Sequence, residues 1–109
     1  MNIREPSGDK VNMDREQKIL AAANELSYPA RLEGLAEEAT EVAQAALKLA
    51  RVIRGENPTP KKRAEAVLEL IEELSDLELC RMSVGLEYDE ETIDKKLDRW
   101  LSRLAEHKS

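Results

Sequence analysis

The stretch LEGLAEEATEVAQAALKLARVIR, residues 32–54, decides the fold class of this 109-residue chain. Its apolar positions recur every three or four residues, as they do along one face of an amphipathic helix. They are Leu35, Ala39, Val42, Ala46, Leu49 and Ile53. The stripe is narrow and rich in alanine, so a neighbouring helix can approach closely. Gly55 is suited to cap the C-terminal end of this helix. The pattern therefore predicts a long helix that ends at Gly55 and packs against another helix.

Capping residues and apolar spacing predict three more helices. Asp14 can cap a first helix, which we expect Pro29 to stop. A third helix is expected to begin at Thr59, which proline follows, and to reach about residue 86. Asp89 can cap a last helix that ends near residue 107. The chain is therefore predicted to contain four helices.

The composition agrees with an all-α protein, since 37% of the residues are charged and only 3% are aromatic. A net charge of −6 argues against a broad nucleic-acid surface, and no apolar run approaches the length of a membrane span. Cys80 is the one cysteine, so no disulfide can form within the chain. We expect a cytoplasmic protein that binds neither nucleic acid nor membrane, with residues 1–12 as a flexible arm and residues 13–109 as one helical domain.

The third predicted helix is apolar on more sides than a simple monomeric bundle can cover. One stripe contains Val67, Leu70, Ile71, Leu74, Leu77 and Val84, and a second contains Leu68, Leu79, Met82 and Leu86. Both stripes need a neighbour, because exposed apolar side chains favour association. We therefore expect a four-helix bundle that oligomerises through its helices as a homodimer or a homotetramer.

Two acidic clusters are the candidate functional residues. They read Glu37-Glu38-Ala39-Thr40-Glu41 on the second helix and Glu73-Leu74-Ser75-Asp76 on the third. Carboxylates three or four residues apart share a helix face, so two packed helices can aim several oxygen atoms at one point. Mg²⁺ takes oxygen ligands and often completes its coordination with water and substrate phosphates. The spacing therefore predicts a magnesium site that acts on a nucleotide or a pyrophosphate group.

The pattern Glu37-Glu38-x-x-Glu41 followed by Glu73-x-x-Asp76 resembles the signature of the MazG-like, all-α nucleoside triphosphate pyrophosphohydrolases. The resemblance covers roughly residues 32–104 and includes the late run Lys96-x-x-Arg99-x-x-x-Arg103. It implies a Mg²⁺-dependent enzyme, with Mn²⁺ as a substitute, built as a helical dimer or tetramer. The implied reaction cleaves a (deoxy)nucleoside triphosphate to the monophosphate and pyrophosphate, in nucleotide pool cleansing or nucleotide metabolism.

The resemblance also implies a role for each matching residue. The implied metal ligands are Glu38, Glu41, Glu73 and Asp76. Glu37 would be the catalytic carboxylate that orients the attacking water, or a carboxylate that supports the ligands. The implied phosphate-binding residues are Lys96, Arg99 and Arg103.

Two other interpretations stay open. In a chain with 23 acidic residues, an acidic run is often a solvated helix face, and the protein would then be a non-catalytic helical interaction or regulatory module. The chain could instead be a related pyrophosphohydrolase acting on a biosynthetic nucleotide such as phosphoribosyl-ATP. Trp100 could stack on a base, but its position on the apolar stripe of the last helix predicts a core residue.

Overall fold

A computed structural model of the chain describes residues 13–55 and 62–108. Within these ranges the protein is all-helical and contains no strand, which confirms the predicted fold class. The helices are α1 (Arg15–Ala23), α2 (Tyr28–Arg54), α3 (Arg63–Val84) and α4 (Glu90–Lys108). The predicted arm, residues 1–12, and the predicted cap at Thr59 and Pro60 lie outside the described residues.

Side chains at the first turns explain where the helices begin. The Asp14 carboxylate accepts a hydrogen bond from the Gln17 amide (2.8 Å), and Gln17 Oε1 accepts one from the Asp14 amide (2.9 Å). This reciprocal pair is the predicted cap of α1. Ser27 caps α2 with a single hydrogen bond, in which its hydroxyl accepts from the Ala30 backbone amide at 3.2 Å.

Pro29 starts α2 and does not stop α1, so the predicted boundary is wrong at this point. The helix α1 ends earlier, at Ala23, and Asn24 forms its C-terminal cap. Proline is tolerated in a first turn because its missing N–H has no partner there in any case. The helix α2 therefore begins about one turn before the predicted residue 32.

The helices α2 and α3 form an antiparallel hairpin that is the centre of the structure. Near the start of α2, the Tyr28 hydroxyl donates to the Val84 carbonyl (3.3 Å) and Arg31 Nη1 donates to the Ser83 carbonyl (2.8 Å). These two hydrogen bonds tie the beginning of α2 to the end of α3. Further along, Lys48 Nζ lies 3.7 Å from a carboxylate oxygen of Glu69, which places α3 beside α2 over most of its length.

Among the described residues, the buried side chains of this hairpin are two alanines and Val84. Ala45 on α2 and Ala66 on α3 are buried, and Ala66 keeps only 1% of its surface exposed. Small buried side chains let the two backbones approach closely, as the alanine-rich stripe of α2 predicts. The short helix α1 packs on α3 and buries Ala23.

Glycines in the left-handed conformation end both long helices. Gly55 has φ 70° and ends α2 as predicted, and Gly85 has φ 73° and ends α3. Residues with a Cβ rarely adopt this conformation, so these positions favour glycine. Because Gly85 caps α3, that helix ends at Val84, slightly before the predicted residue 86.

The helix α4 does not pack into a bundle with the other helices of its own chain. Asp89 caps it by accepting a hydrogen bond from the Thr92 amide at 3.3 Å, as predicted. None of its residues is buried, however, and Trp100 leaves 62% of its surface exposed. The predicted four-helix bundle and the predicted core position of Trp100 are therefore wrong for the single chain. Among the helices described, none is both long enough and apolar enough to span a bilayer.

Candidate metal centre

Three carboxylates converge between the two helices of the hairpin. Glu38 lies on α2, and Glu73 and Asp76 lie three residues apart on one face of α3. One carboxylate oxygen from each of them lies within 4.8 Å of the others. The antiparallel packing of α2 and α3 therefore brings together three of the four predicted metal ligands.

One oxygen of Glu38 is buried without a partner. Within the described part of the chain, Glu38 Oε2 has almost no contact with solvent and accepts no hydrogen bond. A buried polar atom usually has a hydrogen-bond partner, because desolvation without one is costly. Carboxylate oxygens are the ligands that Mg²⁺ and other hard cations prefer. The three residues therefore fit a cation of this kind, with Glu38 Oε2 as one donor.

Burial and mutual repulsion raise the pKa values of two of these carboxyl groups. Burial raises the pKa of Glu38 most, and the charges of Asp76, Glu41 and Glu37 raise it further. Burial likewise leads the rise in the pKa of Glu73, followed by the charges of Glu41, Glu38 and Asp76 and by a hydrogen bond to Asp76. A bound cation would oppose these effects, because positive charge favours the ionised carboxylate.

The other two predicted acidic residues line the clefts around this cluster. A cleft of about 430 Å³ is lined by Glu37, Glu38, Thr40, Glu41 and Glu73. Glu41 is not one of the three converging carboxylates, but its charge raises the pKa values of both Glu38 and Glu73. Glu37 lines the same cleft.

A second cleft contains a cation that the sequence did not single out. This cleft, of about 190 Å³, shares Glu41 and Glu73 with the first and also includes Lys48 and Glu69. Lys48 is the one cation among the residues that line the two clefts. Its position seven residues after Glu41, two turns along the same helix face, was the signal that could have identified it.

The predicted phosphate-binding residues lie elsewhere in the single chain. Lys96, Arg99 and Arg103 are exposed on α4, and none of them lines either cleft. Both clefts are formed by α2 and α3 alone. Within one chain, the structure therefore brings the predicted acidic residues together but does not bring the predicted cations to them.

Cys80 lies near the acidic cluster and is partly exposed. Burial, followed by the charges of Glu38, Asp76 and Glu37, raises the pKa of its thiol. Its sulfur is not among the atoms that converge within 4.8 Å in the described part of the chain.

Comparisons of the chain with protein-family models, with curated proteins and with solved structures found no match.

Proposed function

We infer that the protein is a Mg²⁺-dependent nucleoside triphosphate pyrophosphohydrolase, with Mn²⁺ as a substitute for Mg²⁺. The observation that carries this proposal is the convergence of Glu38, Glu73 and Asp76 within 4.8 Å, with Glu38 Oε2 buried and unpartnered. These residues belong to the two motifs whose order and spacing resemble the MazG-like enzymes. The products would be a nucleoside monophosphate and pyrophosphate.

The chemistry of the reaction explains why acidic residues suit it. Magnesium, when bound, supplies positive charge to the phosphate oxygens and increases the acidity of a water molecule that it holds. Glu38, Glu73 and Asp76 would fix the position of that charge, with Glu41 beside them. The water oxygen would form a bond to the α phosphorus while the bond to the bridging oxygen breaks, so that pyrophosphate leaves.

The neighbouring residues have tasks that follow from their places in the clefts. Glu37, on the larger cleft, would orient the attacking water and accept its proton. Lys48, on the smaller cleft, would contact phosphate oxygens of the substrate. It would leave its ion pair with Glu69 to do so, because the triphosphate carries more negative charge than one carboxylate. No covalent intermediate on the protein is needed, since positioning and charge neutralisation supply most of the catalysis of phosphoryl transfer.

Product analysis tests this proposal. We expect the purified protein, given Mg²⁺ and a panel of ribo- and deoxyribonucleoside triphosphates, to release pyrophosphate from at least one of them, as read by phosphorus NMR. Glu73→Gln should lose this activity, whereas Glu33→Gln, a change at an exposed carboxylate of α2, should keep it. Release of orthophosphate would show a different reaction, and equal activity of the two variants would exclude the proposed centre.

A second candidate function is a non-catalytic helical interaction module. The observation that favours it is the large apolar surface of α3 and α4 that stays exposed in the single chain. For such a module, Mg²⁺ would leave the thermal stability unchanged, and the panel of nucleotides would stay intact. The same two measurements therefore separate the two functions.

A further inference from the structure

The face of the hairpin that carries the carboxylate cluster continues past the cluster into two uncharged residues. Gly34 lies four residues before Glu38 on α2, and Cys80 lies four residues after Asp76 on α3. Residues four apart share a helix face, and the two helices are antiparallel, so both residues lie one turn from the cluster at the same end. The charges of Glu38 and Asp76 act on the Cys80 thiol, as expected of a close neighbour. Gly34 and Cys80 are here called the neutral stretch.

Gly34 leaves open space beside the cluster. At about 100° per residue, its position around α2 falls between those of Glu38 and Glu41, on the side that carries these two carboxylates. A Cβ at this position would meet no atom within 4 Å. The backbone there is helical, so neither its conformation nor its packing requires glycine. Glycine also serves where a ligand must come close to the backbone, and the open space at Gly34 suits that use.

The two ends of the carboxylate cluster differ in charge. At one end, Lys48 lies seven residues after Glu41 on α2 and lines the smaller cleft. At the other end is the neutral stretch, in which Gly34 has no side chain. Burial raises the pKa of the Cys80 thiol above its usual value, so this group carries no charge at neutral pH. One end of the cluster therefore offers a cation, and the other offers uncharged groups.

Arg31 lies beyond the neutral stretch, and its charge is engaged with other groups. It precedes Gly34 by three residues on α2. Its Nη1 donates a hydrogen bond of 2.8 Å to the Ser83 carbonyl, and its guanidinium group lies 5.2 Å from the centre of the Tyr28 ring. These contacts hold the guanidinium group at the end of α3. The neutral stretch is therefore bounded by the carboxylate cluster on one side and by these contacts of Arg31 on the other.

We propose that a nucleoside triphosphate lies along this face with its terminal phosphates toward Lys48 and its nucleoside over Gly34 and Cys80. The phosphates carry the negative charge of such a substrate, whereas the sugar and the base are uncharged at neutral pH. The substrate therefore matches the face in the order of its charges. The size of the side chains in the neutral stretch then limits which sugar and base can bind. This inference rests on the proposed function and adds to it the direction in which the substrate lies.

Alkylation of Cys80 tests this direction without measuring turnover. Cys80 is the only cysteine of the chain, so the rate of its reaction with iodoacetamide reports on the neutral stretch. Two saturating ligands are compared at constant pH and Mg²⁺ concentration: inorganic tripolyphosphate, and the α,β-methylene analogue of the triphosphate that the nucleotide panel selects. We expect the analogue to slow alkylation at least roughly fivefold relative to tripolyphosphate, because thiol reactivity depends on access and only the analogue carries a nucleoside.

A larger side chain at Gly34 gives a second test, read by calorimetric titration of the same two ligands in the presence of Mg²⁺. Gly34→Leu should raise the Kd of the nucleotide analogue roughly tenfold or more and change that of tripolyphosphate less than about twofold. The matched control is Ala36→Leu, at an exposed position on the opposite side of α2, which should change neither Kd. Lys48→Gln should weaken both ligands, because both carry the phosphates that Lys48 would contact.

Circular dichroism must show unchanged helicity in each variant, and Gly34→Ala replaces Gly34→Leu if the larger change unfolds the chain. Equal protection of Cys80 by the two ligands would overturn the proposed direction, as would equal weakening of both by the change at Gly34. Stronger protection by tripolyphosphate would indicate the reverse direction, with the phosphates toward Arg31. Each of these results leaves the proposed function standing if the nucleotide panel is hydrolysed. If neither ligand binds and no nucleotide is hydrolysed, the proposed function fails and the direction with it.

Discussion

The replacement of Glu38 by glutamine tests the metal centre most directly. The change keeps the shape of the side chain and removes the charge of one of the three carboxylates whose oxygens lie within 4.8 Å of one another. It also removes the charge on Glu38 Oε2, the buried oxygen that has no partner. We expect Glu38→Gln to fold, because the loss of one charge relieves repulsion among the remaining carboxylates.

The expected size of the effect follows from binding linkage. If Mg²⁺ binds the cluster as proposed, then at roughly ten times its dissociation constant it should stabilise the wild-type protein by about 1.4 kcal/mol. For a domain of this length, that gain corresponds to a rise in Tm of about 5–10 °C. If the loss of one ligand weakens binding about tenfold, the gain at the same Mg²⁺ concentration falls to roughly 0.4 kcal/mol. The rise in Tm should then be about 2–3 °C.

Thermal melts followed by circular dichroism, with Mg²⁺ titrated against a constant ionic strength, measure both values. Glu33→Gln is the control, since it removes an exposed charge from the same helix outside the cluster. Its Mg²⁺ response should match that of the wild type. If Glu38→Gln and the wild type gained equal stability from Mg²⁺, the three carboxylates would not be the binding site, and our reasoning from their convergence would fail.

Three further predictions concern pH and packing. The pKa of Glu38 is raised in the folded state above its usual value of 4.5. At pH values just above 4.5, the folded chain therefore keeps a proton on Glu38 that the unfolded chain has released. Metal-free wild type should therefore lose stability relative to Glu38→Gln as the pH rises through this window, and parallel urea-unfolding profiles would contradict the raised pKa. Arg31→Ala leaves the Ser83 carbonyl without its donor and should cost about 1–3 kcal/mol in urea unfolding; no loss would mean that this tie is not formed. Gly85→Ala should destabilise the protein by about 1–2 kcal/mol, because φ is positive there. Gly34→Ala should stabilise it by about 0.5–1 kcal/mol, since it lies within α2 and a new Cβ meets nothing within 4 Å; equal effects of the two changes would refute the conformational argument.

The parts of the structure that the sequence predicted are those set by local rules. The cap formed by Asp14 and the helix end at Gly55 depend on residues a few positions apart. The meeting of Glu38 with Glu73 and Asp76 needed only helical spacing and two adjacent helices. For this reason three of the four predicted ligands converge as expected, and the fourth, Glu41, lies beside them.

The features that the sequence did not predict are those for which one local pattern is compatible with more than one structure. Pro29 can end one helix or begin the next, and the serine cap before it decides for the beginning. The stripe around Trp100 indicates that α4 needs a partner, but a periodic pattern does not say which surface supplies it. The sequence does not single out Lys48, because a lysine on a helix is usually solvated. Only the packing of α3 against α2 places it at the cleft.

The hydrogen bonds between the start of α2 and the end of α3 affect how the carboxylate cluster would bind a cation. Tyr28 and Arg31 hold the start of α2 to the last turn of α3, and Lys48 faces Glu69 beyond the centre on the other side. These contacts on both sides of the cluster oppose a separation of the two helices that would relieve the repulsion between Glu38 and Glu73. The electrostatic cost of bringing the carboxylates together is therefore paid when the chain folds. If the cluster binds a cation, as we propose, its carboxylates are already close together and binding would need little rearrangement.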